Sequence, residues 1–291
     1  MGYMIRGIDE KISFRFMIVN STDVVEKARE FHDTTPTATA ALGRLLTAGL
    51  MMGYTMKNEK DKLTLRINGG GPAGTLLVTS DSIGNVKGYI QNPRFFVEDK
   101  SNGKLNVGKA VGTKGTLKVI KDIGMKEPYV GQSQLVTGEI GEDIASYYFN
   151  SEQQPTVIGL GVLVDKDTSV KSAGGFMIQT MPDLKEEEIE KIEKQISKLK
   201  NVSQYFKEGK SLENIAQEIL SDFKIEITEK IPVQYKCDCS KEKTEEVLIS
   251  VGKEDLEKII REDGKAEVSC QFCNKKYFFN KKDLERILKS I

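Results

Sequence analysis

Apolar residues recur with period two over residues 11–19. Ile12, Phe14, Phe16 and Ile18 fall on one side and Ser13 and Arg15 on the other, which predicts a strand. Thr22-Asp23 then offers an N-cap for a short helix reaching about Phe31. Pro36-Thr37 opens a longer helix, roughly 37–56, apolar on most faces through Ala41, Leu42, Leu45, Leu46, Ala48, Leu50, Met51 and Met52. A helix without a polar stripe belongs in the centre of a domain. From Lys62 the period returns to two, and strands are expected over 63–67, 75–79 and 86–90, with turns at Gly69-Gly70-Gly71-Pro72-Ala73-Gly74 and at Asp81 to Asn85. Further strands are expected near 105–108, 115–121, 131–138, 156–164 and 169–179, with a helix over 141–148. Runs of strands with a few separate helices point to an α+β fold, not an alternating α/β one.

Composition changes sharply at Pro182. Between Asp183 and Lys230 there are 9 Lys and 12 acidic residues in 48 positions, which reads as a charged helical linker. Glu186, Glu187 and Glu188 suit the first turn of a helix. Ile189, Ile192, Ile196, Leu199 and Val202 follow at three- and four-residue steps, and a second helix runs from Ser211 to about Leu220. The expected organisation is a large core over 1–182, a helical linker over 183–230 and a small domain over 231–291. In that last part, helices are expected near 253–262 and 281–290 and short strands near Val268 and Tyr277-Phe278-Phe279.

The small domain holds every cysteine of the chain, as Cys237-Asp238-Cys239 and Cys270-Gln271-Phe272-Cys273. Two thiolate clamps supply the four donors of a tetrahedral zinc site, so Zn2+ is the expected cofactor. A metal-bound staple is what a domain too small for a large core requires. The same residues allow a sharper reading. Cys-x-x-Cys can also close a disulfide, and oxidation of both motifs would expel the metal. Disulfides this local restrain the unfolded chain little, so the domain would lose its staple and unfold. A purely structural zinc and a redox switch both remain open on spacing alone. The linker stripe is likewise either ordinary core packing or a metastable cover, whose loss would expose apolar surface able to hold other unfolded chains.

Charge and composition narrow the classes. Lys+Arg and Asp+Glu are 43 each, and the small domain is only slightly basic, which argues against a nucleic-acid partner. The segment Ala38 to Tyr54 contains Arg44 and reads as a buried helix, so no membrane association is expected. The N-terminus shows no signal-peptide pattern, which predicts a cytoplasmic, reducing setting where clustered cysteines serve metals or redox sensing. Gly69 to Gly74 lacks the Gly-Lys-Ser/Thr ending of a phosphate loop. His32 is the single histidine and reads as a capping or core residue. Glu142, Asp143 and Glu152 read as solvated cap carboxylates. No enzyme active site is expected, and the four cysteines are the only candidate site residues.

With these residues in hand, the chain resembles the heat-shock protein 33 family of redox-regulated bacterial holdase chaperones. The resemblance is carried by Cys237-Asp238-Cys239 and Cys270-Gln271-Phe272-Cys273 with the following Asn274-Lys275-Lys276-Tyr277-Phe278-Phe279. Ala41-Leu42-Gly43-Arg44, Gly69-Gly70-Gly71-Pro72, Tyr89-Ile90-Gln91-Asn92-Pro93, Glu127-Pro128-Tyr129, Ser151-Glu152-Gln153-Gln154-Pro155 and Ala173-Gly174-Gly175-Phe176 support it. The resemblance implies an α+β substrate-binding core. It implies that Cys237, Cys239, Cys270 and Cys273 bind zinc in a reduced, inactive state. On oxidation they would pair as Cys237–Cys239 and Cys270–Cys273, the linker and small domain would unfold, and the active form would capture unfolding client proteins and tend to dimerise. A zinc-ribbon nucleic-acid binder and a thiol oxidoreductase are the alternatives. The first lacks basic charge and the second lacks a thioredoxin-like βαβ pattern.

Overall fold

The computed structural model describes residues 2–11, 13–181, 190–192, 194–195 and 202–291. They form two compact units, Met1–Lys236 and Cys237–Ile291. Mixed sheets and helices make this an α+β protein, as the pattern of strand runs predicts.

In the first unit, a five-stranded antiparallel sheet has the order β10-β1-β2-β9-β8. Its strands are β1 (Tyr3–Asp9), β2 (Phe14–Asn20), β8 (Thr156–Val164), β9 (Val170–Thr180) and β10 (Ile225–Pro232). A six-stranded sheet has the order β11-β5-β4-β3-β6-β7. It is built from β3 (Lys62–Asn68), β4 (Leu76–Asp81), β5 (Asn85–Ile90), β6 (Thr116–Asp122), β7 (Tyr129–Gln134) and β11 (Gln234–Tyr235). The apolar helix is α2 (Pro36–Gly53), with α1 (Thr22–His32) before it and α3 (Val107–Val111) and α4 (Gly141–Tyr147) later in the chain.

Leu45, Leu46, Leu50 and Met51 of α2 share one buried cluster with Met17, Val19 and Met177 of the first sheet and Leu65, Val78 and Val119 of the second. The helix thus lies between two sheets, which is why it has no polar stripe. Close approach requires glycine at Gly43, where a Cβ would stand 2.6 Å from Val25, and at Gly49, where it would stand 2.7 Å from Val78.

The five-stranded sheet is apolar on its other face as well. Ile5, Phe14, Phe16, Ile18, Phe176 and Ile178 form a second cluster there with Phe206, Leu212, Ile215 and Ile219. Those last four side chains belong to α5 (Val202–Lys207) and α6 (Leu212–Ile219), the helices of the charged linker. Ser211 caps α6 by accepting the Asn214 amide at 3.2 Å, as its position suggests. Of the apolar stripe, Ile192 is buried and Val202 half-buried. Ile189, Ile196 and Leu199, with Glu186 to Glu188, lie outside the described residues.

Several elements differ from expectation. Residues near 105–108 begin the short helix α3, where Asn106 caps by accepting from the Lys109 amide. Strand β1 carries no clear alternation because both its faces are covered. The sequence Ile225–Pro232, expected to end the linker and begin the small domain, instead forms edge strand β10 along β1, and β11 extends the second sheet. The second compact unit accordingly begins at Cys237, whereas the small domain is expected from Ile231.

Carboxylates expected to be solvated are partly interior. Asp143 is fully buried and accepts backbone N–H bonds from Val136, Thr137, Gly138 and Ile140 at 2.7, 3.0, 3.3 and 2.9 Å. It fixes the turn before α4, where Ile140 is held at φ 75, a conformation that β-branched residues avoid. Glu152 accepts from Lys121 and from the Tyr147 hydroxyl, both at 2.6 Å.

Two outcomes are expected. Asp143→Ala strands four amide donors, each costing about 1–3 kcal/mol when buried and unpaired, so urea unfolding should show a loss of about 3 kcal/mol or more. Glu152 sits below the ordinary glutamate range: burial pushes its carboxyl up, but Lys121 and Tyr147 outweigh it. Such a group stabilises above its unfolded value, about pH 4.3, and its contribution is lost as pH falls through the lower folded value. Glu152→Gln should therefore lower the melting temperature at neutral pH and flatten its decline below about pH 4.3.

Candidate metal centre

The second unit carries helices α7 (Lys241–Val251), α8 (Lys253–Glu262) and α9 (Lys281–Leu288) around a two-stranded antiparallel sheet, β12 (Lys265–Ser269) with β13 (Lys276–Asn280). Sequence patterning anticipates α8, α9 and both strands. It misses α7, whose apolar residues Val247, Leu248, Ile249 and Val251 are bunched at one end and mark no face. Ser240 starts α7 by accepting the Lys243 amide at 3.3 Å. Asn280 and Asp283 cap α9 reciprocally, each accepting the other's backbone N–H, at 3.0 and 3.2 Å. The core consists of Leu248, Leu256, Tyr277, Phe279, Leu284 and Ile287. Six buried apolar side chains are few for a unit of this length.

Local backbone structure presents the four sulfurs. Cys270 and Cys273 occupy the turn between β12 and β13. There the Cys270 N–H donates to Lys275 O at 3.0 Å and the Asn274 N–H to Cys270 O at 2.8 Å. Asn274 takes a left-handed conformation, φ 56, which Asn tolerates better than most residues. Cys237 and Cys239 lie just before the Ser240 cap. The extended Cys-x-Cys segment and the tight Cys-x-x-Cys turn thus face each other.

All four half-buried sulfurs lie within 4.8 Å of one another. Contacts between the motifs include Cys237 to Cys270 at 3.6 Å and Cys239 to Cys273 at 3.4 Å. Four thiolates around one zinc at about 2.3 Å stand about 3.8 Å apart, so the cluster has the size and the donor set for a metal ion. Burial raises Cys237 and Cys273, and hydrogen bonds with neighbouring thiols add to the rise at Cys237. Burial also opposes ionisation of Cys239, yet hydrogen bonds from Tyr277 and the other thiols bring it down to about 7. The Tyr277 hydroxyl donates to its sulfur at 3.2 Å. Tyr277 is a contributor that the cysteine pattern does not reveal. The alternation of buried Tyr277 and Phe279 with exposed Phe278 was the available signal.

The remaining sequence candidates lie elsewhere. His32 is buried and its Nε2 donates to Gly88 O at 3.0 Å, a core role. Gly69 to Gly74 joins β3 to β4, and a Cβ at Gly69 or Gly71 would collide with the backbone of 110–112. The glycines there permit close backbone packing. Among the described residues, no helix is long and apolar enough to cross a membrane.

A small helix-and-hairpin unit presenting four thiols to one point, carried after a larger α+β unit, defines a protein with a cysteine cluster able to hold a metal ion. The chain belongs to the Hsp33 protein family, whose model matches residues 2–280. It is 50% identical over 289 residues to the 33 kDa chaperonin of Clostridioides difficile strain 630, covering 99% of each chain. It is 50% identical over 269 residues, 92% of each chain, to that of Caldanaerobacter subterraneus subsp. tengcongensis. Among solved structures, the 33 kDa chaperonin (heat shock protein 33 homologue) of Thermotoga maritima matches with a TM-score of 0.91 and 37% identity, covering 99% of this chain and 98% of that one.

Cobalt provides a direct check of the geometry. The reduced protein should take up one Co2+ and show the thiolate charge-transfer and visible bands of a tetrahedral all-sulfur site. Serine at any one of Cys237, Cys239, Cys270 or Cys273 should weaken uptake about tenfold or more, roughly 1.4 kcal/mol. Spectra unchanged by all four substitutions would rule out the shared site.

Proposed function

We propose that the chain is a redox-regulated, ATP-independent holdase that captures unfolding proteins in the cytoplasm under oxidative stress. The observation that carries this reading is the convergence of four thiols in a unit with a minimal core. Membership of the Hsp33 family and relatives named as chaperonins support it.

In the reduced state Cys237, Cys239, Cys270 and Cys273 would hold Zn2+. Structural zinc supplies about 10–16 kcal/mol at neutral pH, comparable to or larger than the whole stability of a domain this size. The donor set suits this ion, since soft thiolates in a tetrahedral array select it. Sulfur proximity alone does not choose a pairing on oxidation, because all four sulfurs lie within 4.8 Å of one another. Family resemblance selects Cys237–Cys239 and Cys270–Cys273. Each pair of thiolates gives two electrons to one peroxide. A sulfur–sulfur bond forms, the O–O bond breaks, and two protons are taken up as the oxygens leave as water. All four donors are consumed, and the ion is released.

Loss of the staple would unfold the tail and loosen the linker over 183–230. The core over 1–182 would then show the sheet face that α5 and α6 cover. Phe14, Phe16, Ile18, Phe176 and Ile178 lie on that face. Burying each such side chain is worth about 1.5–3 kcal/mol, so the uncovered face would hold apolar segments of other chains without nucleotide hydrolysis. The same exposed surface accounts for association of the oxidised form into a homodimer.

Zinc content and client aggregation, followed together before and after peroxide at mildly elevated temperature, test the reading. Oxidation should release one zinc per chain and suppress aggregation of a thermally unfolding client, whereas the reduced protein should leave aggregation unchanged. Equal protection by both forms would exclude the switch while leaving the metal site intact.

A further inference from the structure

A cleft of about 540 Å³ opens in the first unit beside edge strand β8. It lies where the five-stranded sheet ends between two layers of helix. On one side Val162 of β8 packs beside Gly43 of α2, and on the other Ser203 of α5 sits against Gly161. The volume falls within the range of about 300–1,000 Å³ typical of small-molecule sites.

Its walls have two characters. Leu105, Leu160, Val162 and Val202 supply an aliphatic surface. Arg44, Lys104 and Lys207 supply the charge, and no acidic or aromatic side chain is among the described lining residues. Arg44 meets Glu139 at 2.7 Å, but Lys100 meets the same carboxylate at 2.7 Å, so this group of three keeps a positive excess. The Arg44 Nε has no hydrogen-bond partner. Lys104 and Lys207 have no acidic partner among the described residues. The positive excess selects an anion. The lack of aromatic walls disfavours a stacked nucleobase, and the aliphatic surface calls for a hydrocarbon chain.

We propose that this cleft binds a medium-chain carboxylate. Its head group lies among Arg44, Lys104 and Lys207, and its chain lies along Leu105, Leu160, Val162 and Val202. Val202 and Lys207 belong to α5, whereas the other groups belong to the core, so the ligand spans linker and core. A ligand that needs α5 in place stabilises the seated linker by mass action, increasingly as its concentration exceeds Kd. It would act as a brake on activation, and this regulatory part rests on the linker release proposed above.

Calorimetric titration of the reduced, zinc-loaded full-length protein with dodecanoate, kept below its micellar concentration, should show one site. Lys104→Glu with Lys207→Glu, both at exposed positions, should weaken it about tenfold or more. Dodecyltrimethylammonium, with the same chain and the opposite charge, should not bind. In mild urea, dodecanoate should slow proteolysis within 202–220 in the parent chain and not in the double variant. This readout needs no oxidant, so it stands even if the aggregation assay excludes the redox switch. Equal affinity in parent and double variant, equal binding of the cationic amphiphile, tighter binding of an acidic apolar hexapeptide than of dodecanoate, or unchanged proteolysis would each overturn the proposal.

Discussion

The five-stranded sheet of the first unit carries apolar side chains on both faces, so neither face can be left to water without loss. Helix α2 and the second sheet cover one face with a large continuous core. Two short helices cover the other, from a segment rich in charge. The asymmetry matters because the strength of a cover scales with the apolar area it buries. Removing α2 would dismantle the unit, whereas removing α5 and α6 leaves the strand pairing of both sheets and the inner core in place. The fold therefore contains one cover that is integral and one that is separable.

The second unit poses the opposite difficulty. Its helices are well capped, but six buried apolar side chains support three helices and a hairpin. Ion pairs such as Arg286 with Glu245 at 2.6 Å lie on the surface, where each is worth about 0–1 kcal/mol. The thiol cluster joins the chain before α7 to the hairpin that precedes α9, which is the long-range tie that the core provides weakly. In the proposed switch, chemistry at this tie decides whether the separable cover of the other unit stays in place.

Much of this was legible in the chain. Period-two runs located most strands of both sheets, and the lack of a polar face on α2 announced a helix buried on all sides. The cysteine spacing identified the cluster. What escaped detection has physical causes. β1 and β10 escaped because the pairing of two distant segments leaves no local mark when one is covered on both faces and the other is an edge. The role of Asp143 escaped because acidic residues at a helix start are usually solvated, and nothing local says that the preceding turn folds over this one. Tyr277 reaches Cys239 only through the register of β13, which the Cys-x-x-Cys pattern does not encode.

Two glycines decide how the separable cover sits. A methyl at Gly161 would stand 2.4 Å from the Ser203 nitrogen, and one at Gly174 would stand 2.6 Å from the Phe206 ring. The helix thus rests on bare backbone, almost as a lid rests on a machined rim. At Gly161 the nearest atom is backbone, so one extra carbon there obliges the helix to shift while the thiols remain untouched. Sensitivity of the cover to its seat is therefore set in the core, far along the chain from the cysteines.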